Sequence, residues 1–207
     1  MKEDSIHTVE GSVRQLEKEI GIRPGFLESL KTEDDWSFII KLHALVEAAV
    51  SYLLCKALGH DELSETFSFL ELSNKRVGKI AFVKSLGLLD EKDRRFISSL
   101  SELRNKLVHD ISNVQFDLKE YVENLSPKRF ETFVKSLDSF SYDRVKLIKA
   151  GKKYSVQGFF REHTKTAVWY SAMVTIGIIY QQKELALSKR EIETLKKTVK
   201  LSSKAIK

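Results

Sequence analysis

Residues Asp90–Ile111, DEKDRRFISSLSELRNKLVHDI, decide how this chain is read. Phe96, Leu100, Leu103, Leu107 and Ile111 recur at steps of four, three, four and four, which is the period of one apolar helical face. Asp90 is the natural N-cap, and Glu91 and Asp93 stand in the first turn, where the positive end of a helix favours carboxylates. At ~100° per residue, Ser98, Ser101, Glu102, Asn105 and His109 project from the other side, with Arg104 on the border. One face is built for a core. The other carries Arg, Asn and His, and it is the one place where the sequence hints at chemistry.

Outward from that helix, the pattern stays helical. Asp34 or Asp35 opens DWSFIIKLHALVEAAVSYLLCKALG, which Gly59 ends in the usual C-terminal position. Ile39, Leu42, Val46, Ala49, Leu53 and Ala57 form one stripe, and Phe38, Leu45, Tyr52 and Leu54 are apolar on other sides. A helix apolar over most of its circumference is expected at the centre of a fold. Inside it His43 and Glu47 stand at i and i+4 and are placed to bond each other or an Arg. No HExxH or Cys/His cluster accompanies them, so neither a metal nor a cofactor is expected.

Between the two helices, RVGKIAFVKSLGLL predicts a short helix ended by Gly87, with Val77, Ile80, Ala81, Leu86 and Leu88 inward. Gly78-Lys79 lacks the spacing and the preceding strand of a phosphate loop. On the N-terminal side, Asp4–Ile20 reads as an amphipathic helix with Ile6, Val9, Val13, Leu16 and Ile20 inward, broken by Arg23-Pro24-Gly25. On the C-terminal side, Ser126-Pro127 starts a helix with Phe130, Phe133 and Leu137 inward. Gly151 and Gly158, with Tyr154 and Val156, suggest a turn or a brief strand pair. A long helix follows from about Glu162 to Leu187, and then a separate basic helix over 188–207. Leu185, Ile192, Val199 and Ile206 repeat every seven there, with Leu195 between them. Ser188 and Ser202 hold the other heptad core positions, short of what a coiled coil needs on its own.

The sum is an all-α helical bundle. At 207 residues it is one helical domain, 1–187, with the basic helix 188–207 appended. Of the formal net charge of +6, the last twenty residues carry +5, from seven basic and two acidic side chains. The body is close to neutral. Cys55, the single cysteine, sits in an apolar run and excludes an intramolecular disulfide. Thr166–Gln182 is uncharged but diluted by Thr, Ser, Gln, Gly and Tyr, so it reads as a buried helix and no membrane span is expected. The acidic, polar start MKEDSIHTVEGSV is unlike a signal peptide, which points to the cytoplasm.

Arg104-Asn105-Lys106-Leu107-Val108-His109 is Arg, four residues, His, with Asn directly after the Arg. At the end of an amphipathic helix in an all-α chain this resembles the HEPN superfamily, helical bundles with an R-x(4–6)-H motif. The resemblance covers about residues 34–115. The segment GKIAFVKSLGLLDEKDRRFISSLSELRNKLVHD is also similar to the mannitol-repressor-like branch of such bundles. The resemblance implies metal-independent RNA cleavage, with His109 exchanging protons with the ribose 2′-hydroxyl or the leaving oxygen and Arg104 holding the phosphate. It also implies a homodimer whose motif faces its copy across a twofold axis, and a toxin or defence effector restrained by an antitoxin or regulatory protein. Some toxin members carry Tyr four residues after the His, where this chain has Asn113.

Geometry bears on the same residues. Arg104 and His109 differ by about 140° around an ideal helix, so one straight helix does not aim both at one phosphate. Either the helix ends near Val108 or two copies supply one site. Asn105 and His109, at i and i+4, share a face, which would let Asn105 orient the imidazole. Glu47 and Glu102 are secondary candidates, as carboxylate partners for Arg104. A second reading from a different class is a non-catalytic regulatory or scaffolding protein, mannitol-repressor-like, acting through protein contacts.

Overall fold

The Asp34 carboxylate accepts the Ser37 N–H at 2.8 Å and so starts the 24-residue helix α3, Asp35–Leu58. Gly59 ends it with a left-handed φ of 78°. In the computed structural model, the backbone of residues 3–139, 147–149 and 152–205 and the side chains of residues 9–139 and 153–199 are described. Within them α3 is the axis of an all-α bundle. Its expected stripe, Ile39 to Leu53, is buried, and so are Phe38, Leu45 and Leu54 on its other sides. Among the described helices it is the one long and apolar enough to cross a bilayer. Here the bundle covers most of that surface.

Two long helices flank it. Helix α6, Glu91–Val108, starts at Asp90, whose side chain accepts the Asp93 N–H at 3.0 Å. It runs antiparallel to α3, with Trp36 Nε1 donating to the Leu107 carbonyl at 3.3 Å and His43 meeting Ser101 near the middle. Helix α10, Thr164–Ala205, runs in the same direction as α3. Lys165 pairs with Asp35 (3.1 Å) at one end, and Arg190 donates to the Lys56 carbonyl (3.4 Å) at the other. Gly59 seats that arginine: a Cβ there would lie 1.9 Å from the Arg190 Cζ.

Shorter elements close the bundle. Helix α1, Glu3–Glu19, packs on α10, where Gly177 lets Val9 approach so closely that a Cβ would stand 2.9 Å from it. Val13 and Leu16 are buried as expected, Val9 and Ile20 partly, and the side chain of Ile6 lies outside the described residues. The buried Glu17 carboxylate accepts the Gly25 and Leu27 N–H groups at 2.6 and 2.8 Å, fixing the turn after α1 onto α2, Phe26–Ser29. Helices α4 (Leu63–Ser68) and α5 (Lys79–Ser85) lie against α3. Helices α7 (Leu118–Glu123), α8 (Pro127–Leu137) and α9 (Val156–Glu162) fill the space between α6 and α10. Strands β1 (Leu147–Lys149) and β2 (Lys152–Tyr154) pair antiparallel as a small hairpin. Gly151 lies outside the described residues, and Val156 and Gly158 belong to α9 rather than to the strands.

Several expectations change. Residues 188–205 are not a separate helix but the outer part of α10, because no Gly or Pro interrupts residues 178–207 and strong helix formers such as Glu, Leu and Lys fill it. Ile111 is not on the buried face; it is 86% exposed. Helix α6 stops at Val108, and Asp110 turns extended before a 3-10 turn over Ile111–Gln115, so the register is lost one turn early. Val77 and Leu86 flank α5 and are exposed, while Val83 and Leu89 take their places in the core.

Candidate functional site

The motif sits at the C-terminal end of α6. His109 is the C-cap residue, yet its backbone stays right-handed helical (φ −84°, ψ −13°). The end of the helix therefore does not swing the imidazole round toward Arg104, and the offset of about 140° persists. Arg104 falls on the side of α6 that meets α3, one turn on from Ser101, and is half-buried. His109 is exposed and lies on the line of Glu102 and Lys106. Among the described residues the His109 imidazole makes no hydrogen bond or ion pair. Around it Val108, Ile111 and Val114 expose apolar side chains.

Asn105 is turned the other way from the expectation. Its Oδ1 accepts from Arg104 Nη1 at 3.1 Å, so the amide steers the guanidinium rather than the imidazole. Neither Glu47 nor Glu102 pairs with Arg104. Glu102 is exposed and stands seven residues, about 10 Å, before His109 along the axis. Glu47 is taken by Lys79, whose Nζ donates to Oε1 at 2.7 Å.

That lysine belongs to a polar layer between α3, α5 and α6 which the sequence did not announce. Lys79 is only 2% exposed, and among the described residues Glu47 is its one acid partner. His43 is buried beside it, with Nε2 3.1 Å from Ser101 Oγ and Nδ1 3.8 Å from Glu47 Oε2. Burial holds the His43 imidazole below its ordinary range; Glu47 opposes this, and the positive charges of Arg104 and Lys79 reinforce it. Arg104 is thus the outer member of a cationic pair around a histidine whose charged form burial disfavours. The spacing of Lys79 and Val83, i and i+4 on one face, was the available signal that this lysine points inward.

On the His109 side, α6, α7 and α8 enclose a groove of about 720 Å³. Lys106, Lys128 and Arg129 line it with Glu102 and Tyr121, and the Lys106 ammonium stands 5.9 Å from the centre of the Tyr121 ring. Cations beside an aromatic face suit a phosphodiester chain with a stacked base. Among the described residues no group of three or more His, Cys, Asp or Glu gathers that could hold a metal ion.

No protein-family model, no curated protein and no solved structure matches this chain. The fold itself defines the class, an all-α bundle with a polar motif at the end of one core helix.

Proposed function

We propose that the chain is a metal-independent endoribonuclease of HEPN type, with Arg104 and His109 as its working pair and Asn105 positioning the guanidinium. The observation that carries the reading is the exposure of His109 on the helix line of Glu102 and Lys106, two residues that border a basic, tyrosine-bearing groove, with an Arg–Asn pair one turn earlier on the same helix. An imidazole open to solvent can exchange a proton with a ribose 2′-hydroxyl or with the leaving 5′-oxygen. A guanidinium tethered through Asn105 can neutralise charge building on the phosphate. Together they perform transesterification: the 2′-oxygen bonds to phosphorus, the bond to the 5′-oxygen breaks, and the products are a 2′,3′-cyclic phosphate and a 5′-hydroxyl.

The angular offset supports a site whose two groups come from two copies of the chain. The exposed apolar residues Val108, Ile111 and Val114 next to His109 supply the contact for a homodimer, since exposed apolar clusters mark interaction surfaces. The same apolar rim suits an antitoxin if the ribonuclease is a toxin, and it also favours the second reading, a non-catalytic regulatory or scaffolding protein acting through protein contacts. The cytoplasm is the compartment where either activity would meet its target.

The test is incubation of the purified protein with total RNA in EDTA. Fragments ending in 2′,3′-cyclic phosphate, and resistance of a substrate with a 2′-deoxy residue at the cut, are expected. Intact RNA at micromolar protein hands the case to the regulatory reading.

A further inference from the structure

The outer part of α10 carries an apolar stripe that nothing among the described residues covers. Leu185, Ile192, Leu195 and Val199 are each half to two-thirds exposed, and residues 188–199 are exposed throughout. The direction of the stripe follows from the contacts of the same helix. Ile179, Lys183 and Arg190 face the body: Ile179 and Lys183 are buried and Arg190 lies on Gly59 and Lys56. At ~100° per residue the stripe lies about 175° from that face. The body holds one side of the helix and the apolar seam points squarely away from it.

The charges flanking the seam identify what covers it. With Leu185, Ile192 and Val199 at heptad position a, and Ser188 and Leu195 at d, Glu184 and Glu191 fall at g and Lys189 and Lys196 at e. In a parallel pair each g residue meets the e residue five positions on in the partner. Glu191 then meets Lys196 of the second copy and Glu184 meets Lys189, both ways across the twofold axis. In an antiparallel pair g meets g and e meets e, setting Glu against Glu and Lys against Lys. Glu184 also contacts Lys183 of its own chain, so among the described residues the Glu191–Lys196 pair is the one left free for the second copy.

We infer that the segment Leu185–Val199 of α10 pairs with the same segment of a second copy as a parallel two-stranded coil. The bundles lie on the outer sides of the two helices, where they do not collide. Ser188 at a core position makes the association concentration-dependent rather than permanent. The seam leaves the bundle at the Gly59 end of α3, whereas His109 lies at the Trp36 end, so this contact is distinct from the composite site and independent of the ribonuclease reading.

The experiment uses the full chain, in which Cys55 is buried. Facing d residues of a parallel coil come within disulfide reach. Ser188→Cys is therefore expected to cross-link to itself under mild oxidation, while a mixture of Ser188→Cys and Val199→Cys, the d and a positions that an antiparallel pair would bring together, gives no mixed Ser188–Val199 link. Glu191→Lys is expected to weaken the self-link at least about tenfold, and adding Lys196→Glu to restore it. A mixed link in preference to the self-links would show antiparallel pairing and overturn the proposal. So would a Ser188→Cys protein that stays uncross-linked at every concentration, whatever its RNA cleavage.

Discussion

His43 donates to Ser101, and the direction of that bond places a proton on one nitrogen of the histidine ring. The Ser101 hydroxyl gives its single proton to the Ile97 carbonyl at 2.9 Å. The proton between His43 Nε2 and Ser101 Oγ, 3.1 Å apart, must then come from the ring. His43 therefore carries a proton on Nε2, and burial disfavours a second one on Nδ1. At 3.8 Å from Nδ1, the Glu47 carboxylate is beyond hydrogen-bond reach.

Ser101→Ala strips the buried imidazole N–H of its acceptor and is expected to cost about 1–3 kcal/mol, read by denaturant unfolding at pH 7.5. Because burial depresses the folded pKa of His43 below the unfolded value of 6.5, the unfolded chain binds a proton first as pH falls. The stability associated with neutral His43 is present above about pH 6.5 and is lost as pH falls below it. An NMR titration of the His43 ring should give a midpoint under 6.5, and a midpoint at or above that value would contradict the effect of its burial.

Asp93 has the opposite sign. It is 2% exposed, its Oδ1 has no hydrogen-bond partner, and burial, with help from the neighbouring Asp90 carboxylate, pushes it up to about 7. The folded state therefore holds a proton that the unfolded chain, at 3.8, gives up. Stability falls as pH rises from about 4 to 7 and is level above that. Asp93→Asn keeps the shape and removes the charge. It is expected to stabilise the protein by roughly 2–4 kcal/mol at pH 8 and to change little at pH 4. Unfolding curves at the two pH values check this, and equal effects at both would refute a protonated Asp93.

The Lys79–Glu47 pair should respond unequally to loss of either partner. Lys79 is buried, while Glu47 keeps a third of its side chain in solvent. Glu47→Gln leaves an ammonium without its counter-charge in the core and is expected to cost about 3–5 kcal/mol. Lys79→Met leaves a carboxylate that water can still reach and fills the space with a side chain of similar length, so it should cost less than half as much. Melting temperatures of the two variants measure the asymmetry.

Much of this bundle was legible in the sequence, because the signals were local. Asp34, Asp90 and Gly59 mark helix ends through the chain's own backbone, and the apolar periods of α3 and α6 are met within each helix. What was not legible needed a second element. Ser101 looks polar and outward on a wheel of α6 alone; it is buried because His43 of α3 offers it a partner. Ile111 fits the period of α6 but lies past the point where the helix stops, and Asn113, whose Nδ2 donates to the Lys106 carbonyl at 3.0 Å, helps close that end. The motif residues themselves were found by spacing, but the turn of Asn105 toward Arg104 was set by side-chain geometry that spacing does not encode.

The composite site makes a prediction that no single-chain site shares. Arg104→Ala and His109→Ala should each lower RNA cleavage by at least about 10²-fold, the low end for losing a proton-transfer or charge-stabilising group. Neither should lower the melting temperature much, since His109 is exposed and Arg104 makes no ion pair among the described residues. If Arg104 of one copy works with His109 of the other, mixing the two inactive variants rebuilds activity. In a mixed dimer one site carries both lesions and the other carries none. Random exchange at equal concentrations makes half the dimers mixed, so about a quarter of the wild-type activity should return, as twofold symmetry dictates. Recovery should follow the rate of subunit exchange and vanish when the double variant Arg104→Ala/His109→Ala replaces either partner. A mixture as inactive as its components, from variants that remain folded and exchange subunits, would place both groups in one chain and remove the dimeric mechanism.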